Sequence, residues 1–291
     1  MIQVCSELLL DFTGKTSLAK RFRALFALRN IVSDESVAII AQAFKDTSAL
    51  LKHEVAYVLG QMCRTSAIPF LCAVLENTSE HEMVRHEAAE ALGAIGEPSS
   101  IEVLIKYLND PSKSVAETCE IAIDRIRNQN SVMPESKTAG VVFGSVDPAP
   151  PEETTSSIEE LEAIYLNPDI SLYKRYKALF ALRNIATVDS TLSICKGFSD
   201  KSALFRHEVA YVLGQLQEPA SAPALMEVLK DKEENPMVRH ECAEALGSIA
   251  TKECMDNLSL YLRDEADVVR ESCEVALDIA EFENNDSLSF I

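Results

Sequence analysis

The amino-acid sequence contains the same pattern twice, at a constant offset of 154 residues. The segment MVRHEAAEALGAI begins at Met83, and MVRHECAEALGSI begins at Met237 with only two changes. A second pair, LLKHEVAYVLGQ at Leu50 and LFRHEVAYVLGQ at Leu204, keeps the same offset. Self-similarity at a fixed offset is typical of proteins built from repeated structural units. We therefore predict that the chain folds as two equivalent halves.

A shorter repeat lies within each half. In the first half, similar segments end at Ile31, Met62, Ile95 and Ile126, at intervals of 31, 33 and 31 residues. Apolar residues recur in them every three or four positions, which is the spacing of an amphipathic helix, and a second helical pattern lies between successive segments. Helix pairs that recur at such intervals stack on one another to bury a continuous core. We predict an all-α fold, a HEAT-like α-solenoid of eight helical-hairpin repeats in two pseudo-symmetric halves.

The two halves are joined by a segment of different composition. It is rich in Pro, Ser, Thr and acidic residues and has no helical period, which is typical of a mobile linker. The predicted organisation is four repeats in residues 1–127, a flexible linker in residues 128–157, and four repeats in residues 158–291.

Composition excludes several classes of partner. The formal net charge is −19 and the pI is about 4.7, whereas nucleic-acid-binding proteins usually carry a basic surface. No stretch approaches the roughly 18 consecutive apolar residues of a membrane span, and the first residues lack the basic segment of a secretory signal. None of the eight cysteines forms a CxxC pair. We expect reduced thiols, a cytoplasmic location, and neither a nucleic-acid nor a membrane partner.

All five histidines are followed directly by glutamate. Four of these His-Glu pairs obey both repeats, since they are 33 residues apart within each half and 154 apart between halves; they begin at His53, His86, His207 and His240. They occur only in the central repeats 2, 3, 6 and 7. The outer repeats carry other residues at these positions, namely Phe22-Arg23, Glu117-Thr118, Tyr176-Lys177 and Glu271-Ser272. The helical scaffold therefore does not require His-Glu there.

The spacing of the four pairs indicates a metal site. One repeat places the same helix face on adjacent helices about 8–10 Å apart, so side chains from both can reach one ion. Imidazole and carboxylate without thiolate favour iron or manganese, with zinc as an alternative. Two His and one carboxylate form the ligand set of non-haem Fe(II) oxygenases. Each half supplies such a set, and two sets brought together would make a dinuclear centre.

The fifth pair, His81-Glu82, does not follow the symmetry. Its counterparts in the second half are Asn235 and Pro236. We interpret it as part of a solvated loop without a metal-binding role.

With these four symmetric pairs, the chain resembles the deoxyhypusine hydroxylases, which are HEAT-repeat di-iron monooxygenases. The resemblance covers both halves almost completely. It implies that the chain hydroxylates the deoxyhypusine side chain of translation initiation factor 5A, with two Fe(II) ions as cofactors and dioxygen as co-substrate. An internal duplication already supplies both ligand sets, so we expect a monomer.

The resemblance also implies a role for each residue of the four pairs. One iron would be held by His53, His86 and Glu87, and the other by His207, His240 and Glu241. The remaining carboxylates would bind the cationic amines of the substrate or support the metal ligands from beside them; these are Glu54 and Glu208.

Two alternatives remain open from the sequence. Most HEAT arrays bind other proteins, so a non-enzymatic protein-binding scaffold is the main one. Paired metal ions also serve displacement by hydroxide, so a dinuclear hydrolase is the other.

Overall fold

A computed structural model describes residues 1–129, 143–152 and 156–283. Within these residues the secondary structure consists of sixteen α-helices and short 3-10 turns, without strands. The chain divides into two compact units; the first ends at Pro148 and the second begins at Ala149. None of the described helices combines the length and apolar character that crossing a membrane requires.

Each unit is a row of four helix pairs. The pairs of the first unit are α1 (Ile2–Leu9) with α2 (Leu18–Arg29), α3 (Asp34–Gln42) with α4 (Ala49–Gln61), α5 (Ile68–Glu76) with α6 (Glu82–Ile95), and α7 (Ile101–Lys106) with α8 (Lys113–Gln129). Those of the second are α9 (Ile158–Tyr165) with α10 (Leu172–Ile185), α11 (Val188–Cys195) with α12 (Ala203–Leu216), α13 (Ala222–Lys230) with α14 (Pro236–Ile249), and α15 (Lys252–Leu258) with α16 (Asp267–Glu283). The prediction of eight HEAT-like helical hairpins in two halves is confirmed.

The second helices of successive repeats approach closely because glycine on one faces alanine on the next. A Cβ atom added to Gly93 of α6 would lie 2.8 Å from the Cβ of Ala122 in α8. At the equivalent place in the second unit, one added to Gly247 of α14 would lie 2.6 Å from the Cβ of Ala276 in α16. Both distances are shorter than close-packed side chains tolerate, so these glycines set the helix spacing of each unit.

Two equivalent helices begin with different residues that perform the same task. The Nδ1 atom of His81 accepts a hydrogen bond from the Met83 N–H at 3.2 Å at the start of α6. The Oδ1 atom of Asn235 accepts one from the Met237 N–H at 2.9 Å at the start of α14. Such N-caps satisfy helix donors that have no intrahelical partner. His81 is therefore an exposed capping residue. Asn235 caps the equivalent helix of the second unit equally well, so no histidine is needed there.

The connection between the units is partly described. Within the first unit, the side chain of Gln61 accepts from the Val146 N–H at 2.7 Å and donates to the Val146 carbonyl at 3.2 Å. Within the second unit, Lys177 lies 3.0 Å from the carboxylate of Glu152. The rest of the predicted linker, residues 130–142 and 153–155, lies outside the described residues, and the linker boundaries stay a prediction.

The C-terminal ends of α6 and α14 differ in a residue that affects stability. Gly96 has a φ of 76°, and its counterpart Ala250 has a φ of 54°. An L-residue in this left-handed conformation costs about 1–2 kcal/mol, which glycine avoids at a smaller cost in unfolded-state entropy. We expect Ala250→Gly to raise the free energy of unfolding by roughly 0.5–1 kcal/mol in urea denaturation. Gly96→Ala is the reciprocal control and should lower it, so an Ala250→Gly variant less stable than the wild type would contradict the argument.

Candidate metal centre

Three donors from neighbouring helices meet in the first unit. His53 lies on α4, while His86 and Glu87 lie on α6. Ligand atoms of these three residues all lie within 4.8 Å of one another. His53 Nε2 lies 3.2 Å from Glu87 Oε2, and the two imidazole rings lie 5.5 Å apart, centroid to centroid. The one-repeat spacing thus brings the side chains together as the helix geometry predicts.

The second unit repeats these contacts almost unchanged. His207 Nε2 on α12 lies 3.3 Å from Glu241 Oε2 on α14. The rings of His207 and His240 lie 5.4 Å apart, centroid to centroid. The two units differ from each other in many residues, yet these two distances agree within 0.1 Å. The duplication therefore preserves the arrangement of the side chains as well as their identities.

All eight residues of the four pairs are buried, although ionisable residues rarely are. They are between 0 and 6% exposed: His53, Glu54, His86, Glu87, His207, Glu208, His240 and Glu241. Burial of a carboxylate is costly unless a cation or a network of donors offsets the lost hydration. Carboxylates buried in contact with imidazoles therefore suit a bound metal ion better than they suit a core that only has to pack.

The spacing of the donors fits a divalent metal ion, and their chemistry suits iron. Imidazole nitrogen and carboxylate oxygen each bind a divalent metal at about 2.0–2.2 Å, so two such donors at a right angle lie roughly 3 Å apart. The contacts of 3.2 and 3.3 Å in the two units have this spacing. Imidazole with carboxylate is the chemistry of non-haem iron sites. The residues present therefore fit the metal that the sequence predicts.

The two remaining carboxylates lie beside these donors. The three-donor cluster of the first unit does not include Glu54, which follows His53 on α4 and is 6% exposed. Glu208 follows His207 on α12 and is 2% exposed. Adjacent residues on a helix point about 100° apart, so these carboxylates face different neighbours from the histidines before them.

A basic residue that the sequence prediction did not single out precedes each of the four symmetric His-Glu pairs. Before His86, Arg85 donates from Nε to the Leu75 carbonyl at 3.0 Å and from its two terminal nitrogens to Asp110 at 3.1 and 2.6 Å. These bonds join three elements, because the carbonyl belongs to α5 and the carboxylate precedes α8. They fix the turn of α6 that carries His86.

The equivalent residue in the second unit is Arg239. It donates to the Leu229 carbonyl at 2.9 Å and to the two carboxylate oxygens of Asp264 at 3.1 and 2.7 Å. Burial would raise the pKa of the Asp264 carboxyl, but hydrogen bonds from Arg239 and from the Ala266 N–H lower it overall. The signal in the sequence is a Lys or Arg directly before each of the four pairs, at positions 52, 85, 206 and 239.

Comparison with known proteins identifies the family. Residues 37–124 and 191–278 match the family model for HEAT repeats. The deoxyhypusine hydroxylase of Drosophila melanogaster is 52% identical over 273 residues, which cover 94% of this chain and 90% of that protein. The deoxyhypusine hydroxylase of Homo sapiens is 49% identical over 278 residues, which cover 95% and 90%.

A solved structure agrees with these matches. The structure of human deoxyhypusine hydroxylase in complex with glycerol aligns with a TM-score of 0.91 and 49% identity, and the alignment covers 97% of this chain and 96% of that one. With the helical repeats and the four buried His-Glu pairs in place, the chain belongs to the deoxyhypusine hydroxylase family.

Proposed function

We propose that this chain hydroxylates the deoxyhypusine side chain of translation initiation factor 5A, and that it does so with two iron ions. Its relatives are named for hydroxylation of deoxyhypusine, which supports the reaction. The observation that carries the metal proposal is the buried cluster of His53, His86 and Glu87, whose ligand atoms lie within 4.8 Å of one another. The matching contact of His207 with Glu241 supports a second ion.

Each unit contributes one set of ligands in this proposal. His53, His86 and Glu87 hold one iron, and the second is held by His207, His240 and Glu241. When bound, the irons supply the activation of dioxygen that insertion of oxygen into a C–H bond requires. Two imidazoles and one carboxylate leave coordination positions open for small molecules. The burial of the ligands limits competing reactions with bulk water.

The substrate has two chemical parts, an alkyl chain and cationic amines. Glu54 and Glu208 are buried carboxylates beside the proposed metal ligands. We assign them to the amines, because a hydrogen bond between an ammonium and a carboxylate is strong where water is excluded. An amine held by one of these carboxylates would place the neighbouring carbon atoms near the metal ligands of the same unit. The net charge of −19 further favours approach of a cationic partner.

The physiological setting is also part of the proposal. All eight cysteines carry free thiols, which suits a reducing compartment such as the cytoplasm. Both ligand sets belong to one chain, so a monomer suffices for catalysis. The acidic surface charge argues against a nucleic-acid partner.

The decisive experiment is mass spectrometry on the modified factor. Protein loaded anaerobically with Fe(II) is incubated with the deoxyhypusine form of factor 5A, dioxygen and a reductant. We expect the modified lysine to gain one oxygen atom, and to gain none when dioxygen or iron is left out. An unchanged mass with iron-loaded protein would contradict the proposal.

Oxygen-free samples of this experiment, together with an iron analysis of the loaded protein, separate the alternatives. A dinuclear hydrolase would turn over its substrate without oxygen and would work with zinc, so product formation in an oxygen-free sample would favour it. A scaffold whose His-Glu pairs do not form a metal site would bind less than about one iron per chain after loading. The family match and the duplicated donor geometry favour the hydroxylase over both.

A further inference from the structure

One carboxylate outside the four His-Glu pairs lies against a proposed metal ligand. Glu244 is one helical turn after His240 on α14, and its Oε1 atom lies 3.4 Å from the Nδ1 atom of that histidine. The side chain of His240 is fully buried, whereas that of Glu244 is 27% exposed. The contact thus places a carboxylate at the edge of the solvent beside Nδ1 of a buried imidazole, while Nε2 is the other ring nitrogen that could bind a metal.

The next repeat contacts this carboxylate too. Ser272 on α16 is fully buried, and its hydroxyl donates a hydrogen bond to Glu244 Oε1 at 3.1 Å. Ser272 occupies the place in the eighth repeat where the central repeats have the glutamate of a His-Glu pair. A repeat that supplies no metal ligand of its own therefore holds the carboxylate that contacts His240.

The contact between His240 and Glu244 matches the usual surroundings of a metal-bound histidine. A histidine that binds a metal through one ring nitrogen usually donates the N–H of the other to a carboxylate or carbonyl, which fixes the tautomer and the ring orientation. We propose that Glu244, held by Ser272, is a positioning residue that accepts the Nδ1 proton of His240 and directs Nε2 toward the iron. This inference rests on the proposed function, because it presupposes that His240 binds a metal.

Two substitutions of Glu244 test its positioning role through the affinity of the protein for iron, without relying on enzymatic activity. The measurement is anaerobic Fe(II) titration of the metal-free protein against a competing chelator. Glu244→Ala removes the acceptor and should weaken binding of one of the two irons about 10- to 100-fold. Glu244→Gln keeps an oxygen that can accept the same hydrogen bond, so it should lie between the wild type and Glu244→Ala.

Two further variants complete the design. Glu227→Ala on α13 removes an exposed carboxylate that lies 3.4 Å from Lys230, and it should leave both affinities unchanged. Ser272→Ala removes the hydroxyl that holds Glu244 and should weaken the same iron a few-fold. Circular dichroism of the metal-free protein shows whether Glu244→Ala folds. If it does not fold, Ser272→Ala still tests the positioning role.

The outcomes separate this inference from the proposed function. A wild-type protein that binds no iron overturns both. A wild type that binds two irons, with Glu244→Ala within twofold of it, overturns the positioning role alone. Equal weakening by Glu244→Ala and Glu244→Gln also overturns it, because the effect would then come from the loss of negative charge. Affinities in the order wild type, Gln, Ala, with helicity intact, establish it.

Discussion

Replacing His86 or His240 with alanine should abolish hydroxylation and remove one of the two iron ions. In the proposed centre each residue supplies one of the two imidazoles of its set, so the substitution would leave that iron with a single imidazole and one carboxylate. Loss of a partner that only supports a ligand typically costs 10- to 100-fold in affinity or activity. Loss of the ligand should exceed about 100-fold. Iron analysis after anaerobic loading should fall from about two to about one per chain.

The helical fold should survive both substitutions. The core of each unit is built from Leu, Val, Ala and Ile side chains of stacked helices, and packing of these side chains dominates the stability of repeat proteins. Circular dichroism should therefore show nearly unchanged helix content in the His86→Ala and His240→Ala proteins. Collapse of the signal in either variant would refute the separation of the site from the scaffold.

His81 provides the matched control. It is also followed by glutamate, but it caps α6 through Nδ1 and belongs to neither proposed ligand set. His81→Ala should retain two irons and full hydroxylation, and should cost only about 1 kcal/mol of stability through the lost cap. Loss of iron in this variant would mean that His-Glu pairs in general, and not the four symmetric ones, determine metal binding.

Much of the fold can be predicted from the sequence because each repeat carries the same pattern of apolar residues. The 31- to 33-residue period and the 154-residue offset are sufficient to predict helix pairs and to pair His53 with His86 on neighbouring helices. The contacts of 3.2 and 3.3 Å between imidazole and carboxylate in the two units agree with that prediction. Sequence periodicity works here because it reports which face of a helix a residue occupies.

Other features of the site depend on side-chain directions that periodicity does not carry. The contact of Ser272 with Glu244 joins residues 28 positions apart on different helices, and it depends on the rotamers of both. The capping role of His81 depends on the backbone conformation at the start of α6. The cluster of His53, His86 and Glu87, with Glu54 outside it, likewise depends on the direction of each side chain. These details follow from the three-dimensional arrangement of the side chains and not from the period of the sequence.

The basic residues before the His-Glu pairs lead to a large expected effect on stability. Arg239 is 3% exposed, and the side chain of its partner Asp264 is 6% exposed. Arg239→Leu would leave a buried carboxylate without its cation and the Leu229 carbonyl without its donor. Breaking a buried ion pair by removing one partner typically costs about 3–5 kcal/mol. We expect a loss of this size in the free energy of unfolding, measured by urea denaturation at neutral pH.

An exposed ion pair of similar length is the control. Lys252 and Asp256 lie 2.6 Å apart, with side chains 86% and 67% exposed, whereas Arg239 and Asp264 lie 2.7 Å apart. Lys252→Leu should cost less than about 1 kcal/mol, because solvent screens exposed charges. Equal losses in the two variants would show that burial does not govern the contribution of Arg239.

Acid titration tests the same explanation from the side of the carboxylate. The hydrogen bonds from Arg239 and the Ala266 N–H outweigh burial and lower the pKa of Asp264. A lowered pKa contributes stability that is fully present above the unfolded-state value of about 4 and is lost as the pH falls through the folded-state value. In Arg239→Leu the carboxylate lacks this cation, so protonation relieves its burial in mild acid. The stability difference between wild type and variant should therefore shrink as the pH falls from 7 toward 4, and a constant difference would mean that lost packing of the arginine side chain, not the stranded charge, causes the defect.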